Sequence, residues 1–404
     1  MQNQLSETLL TKKIIENNKF VFLFVSLIFV PFGLEFFETP KYFFILAFSI
    51  LSFFSLKLKL IKLNTWVVIS FFTYLLIATF SSLQLSFFDS FFGFNFAYYN
   101  SLSFLFSLFF LLLYFSNTAF PKNFLTNLKV YFLVGVFISG TIGILQYGLK
   151  PFNFISSDWY FDGRIASTMG HPNFLASIIV IGLLISEKLK LNWVKITLLL
   201  CLILTFSKLS IILYFLYLFG KYLVHLYKQN RKIAVTLSLT SIVFVLSIGF
   251  GLFTNSYNEL ISSNKNMYLF QRFLSFLDPQ ELSLDLRFKI WSYGLKIVED
   301  SPYYGYGKAQ VPQVFESISA DLLSDLSIGS THNLYLDIAI ESGLLGLAAF
   351  LTFMVSCLFF SLKLKSKTLF LIQLFIFTHA FFDQTSVVLW LVLVMTAGLS
   401  INRS

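Results

Sequence analysis

Ser330-Thr331-His332-Asn333-Leu334-Tyr335-Leu336-Asp337-Ile338-Ala339-Ile340-Glu341 marks the point where a long polar interval runs into an apolar helix. The interval behind it, Thr254 to His332, holds nine acids and six bases and is the one long non-hydrophobic segment of the chain. On either side the sequence is one apolar run after another. That contrast decides the fold class: a membrane frame with one large polar loop, in which the loop and its far end carry the reactive groups.

The totals agree. Of 404 residues, 57% are hydrophobic and 12% charged, and the mean hydropathy is +0.78. A soluble domain carries roughly 25% charged residues, so this chain lacks the polar surface to cover a water-facing globule. Its 54 Phe and 19 Tyr suit hydrocarbon and the membrane interface. Cys201 and Cys357 both sit inside apolar runs, which argues against a disulfide framework, and no metal-ligand spacing is present. The net charge of +9 is spread over short loops, a pattern of membrane topology and not of a nucleic-acid-binding face.

A spanning helix needs about 20 mostly apolar residues. Spans are expected near 20–37, 42–58, 65–83, 97–116, 129–149 and 172–187. Six more follow near 192–207, 209–227, 233–253, 334–362, 367–382 and 384–401. The chain is thus an all-α polytopic membrane protein of about twelve transmembrane helices, a single domain over 1–404. The first span is expected to be retained, because no small-residue cleavage site follows it.

Orientation follows from the short loops. One set carries Lys12, Lys13, Lys19, Lys57, Lys59, Lys62, Lys122, Lys129, Lys188, Lys190 and Lys195, then Lys221, Lys228, Arg231, Lys232, Lys363, Lys365, Lys367 and Arg403. The opposite short connections hold only Lys41, Lys150, Arg164 and Lys208. The first set is read as cytoplasmic, with both termini, and the 254–332 loop as outside. This bias also requires a break near Lys208, since a merged helix would flip Lys221 to Lys232 outward. Within the loop, Leu286, Ile290, Tyr293 and Ile297 form an apolar stripe with Arg287, Lys289 and Lys296 off it, which predicts an amphipathic helix over 285–300 on the membrane surface, stopped by Pro302.

Several residues could carry chemistry. With Ser330 or Thr331 as N-cap, His332 stands at a helix N-terminus, where the dipole favours the neutral ring that accepts a proton; the bland reading is an interfacial polar residue. Arg164 precedes His171-Pro172-Asn173, where proline opens the next span. An arginine beside a helix N-terminus outlines an anion site, or else touches a lipid headgroup. Lys208, in the turn Ser207-Lys208-Leu209, snorkels by default. Asp337 and Glu341 continue one face from Asn333, and either orient loop cations or pair with Arg287. Glu35, Glu38, Asp89 and Asp383 fall near outer helix ends, where hydration is cheap, and His379 with Asp383 reads as a local pair.

Three segments carry a resemblance. They are Arg164-Ile-Ala-Ser-Thr-Met-Gly-His-Pro-Asn173-Phe-Leu-Ala176, then Arg287-Phe-Lys-Ile-Trp291 leading to Asp300-Ser-Pro302 and Gly305-Tyr-Gly307, and Thr331-His-Asn-Leu-Tyr-Leu336 leading to Glu341-Ser-Gly343-Leu-Leu-Gly346. In this order, with a large late outer loop, they resemble the O-antigen ligase and polymerase superfamily of bacterial envelope proteins. The resemblance implies a GT-C-like fold in the bacterial inner membrane with the loop in the periplasm. It implies glycan transfer from undecaprenyl pyrophosphate, without metal or other cofactor, to lipid A-core, another glycan or a protein hydroxyl. Arg164 and Arg287 would then hold the donor pyrophosphate and His332 would activate the acceptor. Lys208 sits where members often have an arginine after serine, and Asn173, Asn333, Asp337 and Glu341 would support the site. The competing class is a lipid or polysaccharide transporter, which should keep its ionisable residues at the membrane midplane on broken helices.

Overall fold

A computed structural model describes residues 21, 23–29, 37–56, 65–93, 100–118, 120–121, 123–149, 164–233, 235–238, 240, 282–319 and 329–402. Half of the expected span at 20–37 and most of that at 233–253 lie outside these residues, as do Glu35 and much of the polar interval; the described part of the first span passes from helix into a turn at 25–27, short of a continuous spanning helix. The described elements are helical: α1 Glu38–Ser55, α2 Trp66–Ser82, α3 Phe87–Phe92, α4 Leu102–Asn117, α5 Phe124–Leu149, α6 Pro172–Leu189 and α7 Asn192–Leu204. They continue with α8 Lys208–Gln229, α9 Leu282–Asp300, α10 Val311–Ser319, α11 Leu334–Lys363, α12 Lys367–Ala380 and α13 Val387–Asn402. A short 3-10 turn, Ser167–Met169, precedes α6.

Four of these helices are long and apolar enough to cross a membrane: Phe124–Gly148, Pro172–Leu189, Lys208–Gln229 and Leu334–Lys363. Shorter apolar helices form α2, α4, α7, α12 and α13. Their outer faces expose Phe54, Trp66, Ile196, Val355 and Phe359, each more than 60% accessible. Side chains of that size on neighbouring helices face lipid and not water, so this is a membrane protein. Polar residues inside the helices are accommodated locally. Ser82, Ser107 and Thr79 return their hydroxyls to the carbonyls of Ala78, Ser103 and Leu75, which satisfies them without water.

The chain divides into two units, residues 1–205 with 293–404, and residues 206–292. In the first, α13 packs on α4 and α1, α11 packs on α2, and α6 packs on α5, α7 and α12. Helix α13 is apolar all round and buried from Val387 to Ser400, as befits a helix in the middle of a bundle. The C-terminal helices therefore join the early group, α1, α2 and α4, to the middle group, α5 to α7.

In the second unit, α8 begins at Lys208 after N-cap Ser207, so the break expected there is present. Helix α9 straddles the unit boundary. Ile290 and Ile297 on its apolar stripe are buried while Lys289 and Lys296 are exposed; Arg287, read as off the stripe, is half-buried. The helix ends at Asp300, ahead of Pro302 as expected.

Helix α11 is not continuous, although a single span is expected near 334–362. The helix breaks at Gly343, φ 64° and ψ −174°. The carbonyls of Ile340 and Glu341 are taken instead by the N–H groups of Tyr306 and Gly307, at 2.9 and 2.8 Å. The Leu344 N–H returns to Pro302 O at 2.7 Å. The 302–307 strap thus lies against the break, and a Cβ on Gly343 would meet Tyr303 O at 2.2 Å. Left-handed φ and backbone contact both oppose any side chain there. We expect Gly343→Ala to lower the thermal midpoint of the purified protein, with a cost of at least about 1–3 kcal/mol. An unchanged midpoint would show that the strap and the break can part freely.

Candidate functional site

The turn before α11 is built from its own side chains. Asn333 is the N-cap, its Oδ1 accepting from Tyr335 N at 3.0 Å and Leu336 N at 3.2 Å. The cap is therefore Asn333, and not Ser330 or Thr331 as expected. Those two residues fix the turn by other bonds. Thr331 donates both its N–H and its hydroxyl to Asp337 Oδ1, at 2.8 and 2.7 Å, and Ser330 Oγ accepts from His332 N at 3.0 Å. His332 is held at φ 55°, a left-handed conformation that non-glycine residues adopt only when neighbours impose it. So Asp337, at the buried start of the helix, clamps Thr331 and thereby sets where His332 stands.

The imidazole of His332 is 41% exposed and turns its Nδ1 to Asp383 Oδ1 at 3.3 Å. Asp383 lies in the turn between α12 and α13 and is 3% exposed. Its Oδ1 also accepts from Gln384 N at 2.8 Å, and its Oδ2 accepts from Asn173 Nδ2 at 2.5 Å. Asn173 Oδ1 in turn accepts from Arg164 Nη2 at 2.9 Å. One continuous chain, Arg164–Asn173–Asp383–His332, thus joins three elements of the larger unit.

Burial works to raise the Asp383 pKa, but the bond from His332 and the charges of His379, His171 and His332 outweigh it. The carboxyl is held below the usual carboxylate range and is ionised at neutral pH. A depressed folded-state pKa contributes stability above the ordinary carboxylate value, lost only as the pH falls through the folded value. With an ionised Asp383 on Nδ1, the neutral ring carries its proton there, and Nε2 is left with a lone pair.

Arg164 is itself positioned by buried polar bonds. Its Nε donates to Thr205 O at 2.7 Å, and Ile165 N donates to Leu204 O at 3.2 Å. The next turn is pinned by Gln146 Oε1 on Ser167 N at 2.8 Å, by the Ser139 hydroxyl against Thr168 Oγ1 at 2.8 Å, and by Thr168 Oγ1 on Ser26 O at 2.6 Å. His171 caps α6 through Nδ1, which accepts from Asn173 N at 3.2 Å, and Pro172 occupies the first turn as expected. Below it, fully buried Lys41 donates to Glu38 Oε1 at 3.2 Å and Thr168 O at 3.0 Å, while Glu38 Oε2 accepts from Val387 N at 2.7 Å. Glu38, expected to be hydrated, is therefore a buried brace between the Arg164 segment and the start of α13.

Glu341 forms a second buried cluster. It accepts from Lys308 Nζ at 2.5 Å, Ala309 N at 2.9 Å and Asn100 Nδ2 at 3.2 Å. The loop cation it orients is Lys308, a residue the sequence reading passed over.

Of the residues singled out from the sequence, the structure brings together Arg164, Asn173 and His332, with Asn333 and Asp337 fixing the last. Lys208, at the first position of α8, and Arg287, on the first half of α9, belong to the 206–292 unit. Asp383 was missed. The expected pairing with His379 is present, through Asp383 N on His379 O at 3.1 Å and the charge of the ring, but the carboxyl is buried and not hydrated, and it also serves His332 and Asn173. A signal was available: Asp383 is the single acid in the 63 residues after Glu341, and a lone carboxylate between two apolar helices calls for a partner. Among the described residues, no group of three or more His, Cys, Asp or Glu is arranged to hold a metal ion.

Residues 193–351 match a family model described as O-antigen ligase. The match contains the segments around Arg287 and His332 and starts after the one around Arg164. No curated protein matches the chain.

Proposed function

We propose that this member of the O-antigen ligase and polymerase superfamily transfers a glycan from undecaprenyl pyrophosphate to an acceptor hydroxyl, on the periplasmic side of the bacterial inner membrane. The observation that carries the reading is the bonded chain from Arg164 through Asn173 and Asp383 to His332. It sets a guanidinium suited to a phosphate and an imidazole suited to a hydroxyl at its two ends.

The reaction is a direct displacement. The acceptor oxygen forms a bond to the anomeric carbon of the donor sugar as the bond from that carbon to the pyrophosphate oxygen breaks, inverting the configuration. His332 Nε2 takes the hydroxyl proton, and Asp383 supports the imidazolium that forms, as the acid does beside a catalytic histidine. The bonding pair leaves on undecaprenyl pyrophosphate, whose charge the Arg164 guanidinium meets. Arg287 and Lys208 are proposed as further phosphate contacts from their places in the motifs. No metal enters this scheme. The frame is proposed as a twelve-span, GT-C-like bundle with cytoplasmic termini and the 254–332 loop outside, supported by the lysine bias of the short loops.

Ligation to lipid A-core is the preferred acceptor reaction, and product length tests it. Deleting the gene should leave long glycan on its lipid carrier. Single repeat units attached to the acceptor would identify a repeat-unit polymerase, and loss of glycan from a protein would identify a protein oligosaccharyltransferase. Unchanged lipid-linked and transferred glycan would overturn the reading.

A further inference from the structure

Asn173 stands between a group that can only donate and a group that can only accept. A guanidinium has no acceptor and an ionised carboxylate has no donor. The carboxamide therefore has one permitted orientation, Oδ1 to Arg164 and Nδ2 to Asp383, at 2.9 and 2.5 Å. Its backbone is fixed as well, since Asn173 N is bonded to His171 Nδ1 and Pro172 opens the helix. Asn173 cannot answer one neighbour without changing what it gives the other.

We propose that Asn173 is a relay through which occupation of Arg164 by the donor diphosphate increases the proton affinity of the acceptor-side base. The inference rests on the function proposed above and assigns to Asn173 a positioning role within it. With Arg164 on its carbonyl, the amide is polarised and its N–H binds Asp383 more strongly, because hydrogen bonds in series reinforce one another. A diphosphate oxygen competes for the same guanidinium with a charge-assisted bond, roughly twice as strong as a neutral one. As Arg164 turns to the phosphate, Asn173 relaxes its hold on Asp383 Oδ2. The carboxylate then has more charge to offer the Nδ1–H of His332, and the imidazolium is stabilised at the moment a proton must be taken. Linkage is reciprocal, so a protonated His332 also favours the bound diphosphate. Among the described residues, the titratable groups acting on Asp383 are His332 from the turn before α11, His379 at the end of α12 and His171 from the segment entering α6; Arg164 reaches it through Asn173.

Full-length protein in nanodiscs, assayed for glycan transfer from lipid-linked donor across a pH series, tests this. Asn173→Leu keeps the side-chain shape and removes both bonds. It should lower kcat roughly tenfold or more with a smaller change in donor KM, and should cost much less in a His332→Ala background, because coupled residues are non-additive. Asn173→Asp supplies a second readout that a merely structural role would not move. Its protonated carboxyl can accept from Arg164 and donate to Asp383, whereas the ionised form repels Asp383. Its rate relative to the native protein should therefore climb as the pH falls. Equal fold-losses for Asn173→Leu with and without His332, or an Asn173→Asp profile parallel to the native one, would overturn the relay while leaving the transfer reaction standing. Full activity in both His332→Ala and Arg164→Ala would overturn the reaction itself, and the relay with it.

Discussion

His332→Ala should lower glycan transfer on the order of 10²- to 10⁴-fold, the usual contribution of a positioned general base, while the protein reaches the membrane at native levels. The two halves of this expectation have separate grounds. The imidazole is 41% exposed and, among the described residues, its ring bonds to Asp383 alone, so little packing is lost with it. The turn itself is fixed by Thr331 on Asp337 and by the Asn333 cap, none of which involves the ring. What the variant loses is the Nε2 lone pair, the atom proposed to take the proton of the acceptor hydroxyl. Donor binding should largely survive, because Arg164 keeps its anchor on Thr205 O. The residual rate should lose the acid limb that protonation of the base imposes on the native pH profile. Undiminished transfer by a normally inserted His332→Ala protein would sink the base assignment.

Why some of this was legible in the sequence and some was not follows from the range of the forces involved. Local rules located several helix boundaries. Proline at the start of α6, the apolar stripe of α9 ahead of Pro302 and the break at Lys208 each depend on residues within a few positions of one another. Residues such as Arg164 and His332 stood out because an ionisable group beside an apolar run is costly and so draws attention. Their connection did not stand out. Asp383 is 51 positions from His332 and 210 from Asn173, and no periodicity spans such distances. The same holds for Glu38, whose partner Val387 N lies 349 positions away. The rule that acids near helix ends are hydrated failed at both sites for one reason: the bundle closes over those ends, and each carboxylate found donors in place of water. The break at Gly343 was hidden differently. Its stretch reads as continuous apolar helix, and only the 302–307 strap, arriving from the polar interval, explains where the freed carbonyls turn.

Within the interval from Thr254 to His332, the described residues from Pro302 onward meet the helical frame. Its strap docks on the break in α11, Lys308 meets Glu341, and its end delivers His332. The anion-binding end comes from the segment before α6, so the reactive groups are shared between the loop and the helical frame.

Asp383→Asn should be nearly as damaging as loss of the histidine, on the order of 10²- to 10⁴-fold in kcat, although it removes one charge and almost no volume. Asp383 receives three donors: His332 Nδ1 and Gln384 N on one oxygen, Asn173 Nδ2 on the other. A carboxamide offers one oxygen where there were two, and each placement of its NH2 is harmful. If the NH2 faces Asn173, two donors meet at a position where the native separation is 2.5 Å, and the amide or Asn173 must swing away. If it faces His332, Nδ1 must become the acceptor. The ring then carries its proton on Nε2, the atom that has to take a proton from the acceptor hydroxyl, and the base is held in the inactive tautomer. In either placement the imidazolium formed during transfer loses its counter-charge. Asp383→Glu should recover only part of the rate, since the extra methylene has no room in a turn where Asp383 is 3% exposed. The distinguishing measurement is kcat against donor KM for Asp383→Asn, together with its level in the membrane. A fall confined to kcat at normal abundance assigns Asp383 to the base. A rise in donor KM with kcat preserved would instead place it on the donor side, as a support for Arg164 through Asn173, and would remove it from the proton transfer.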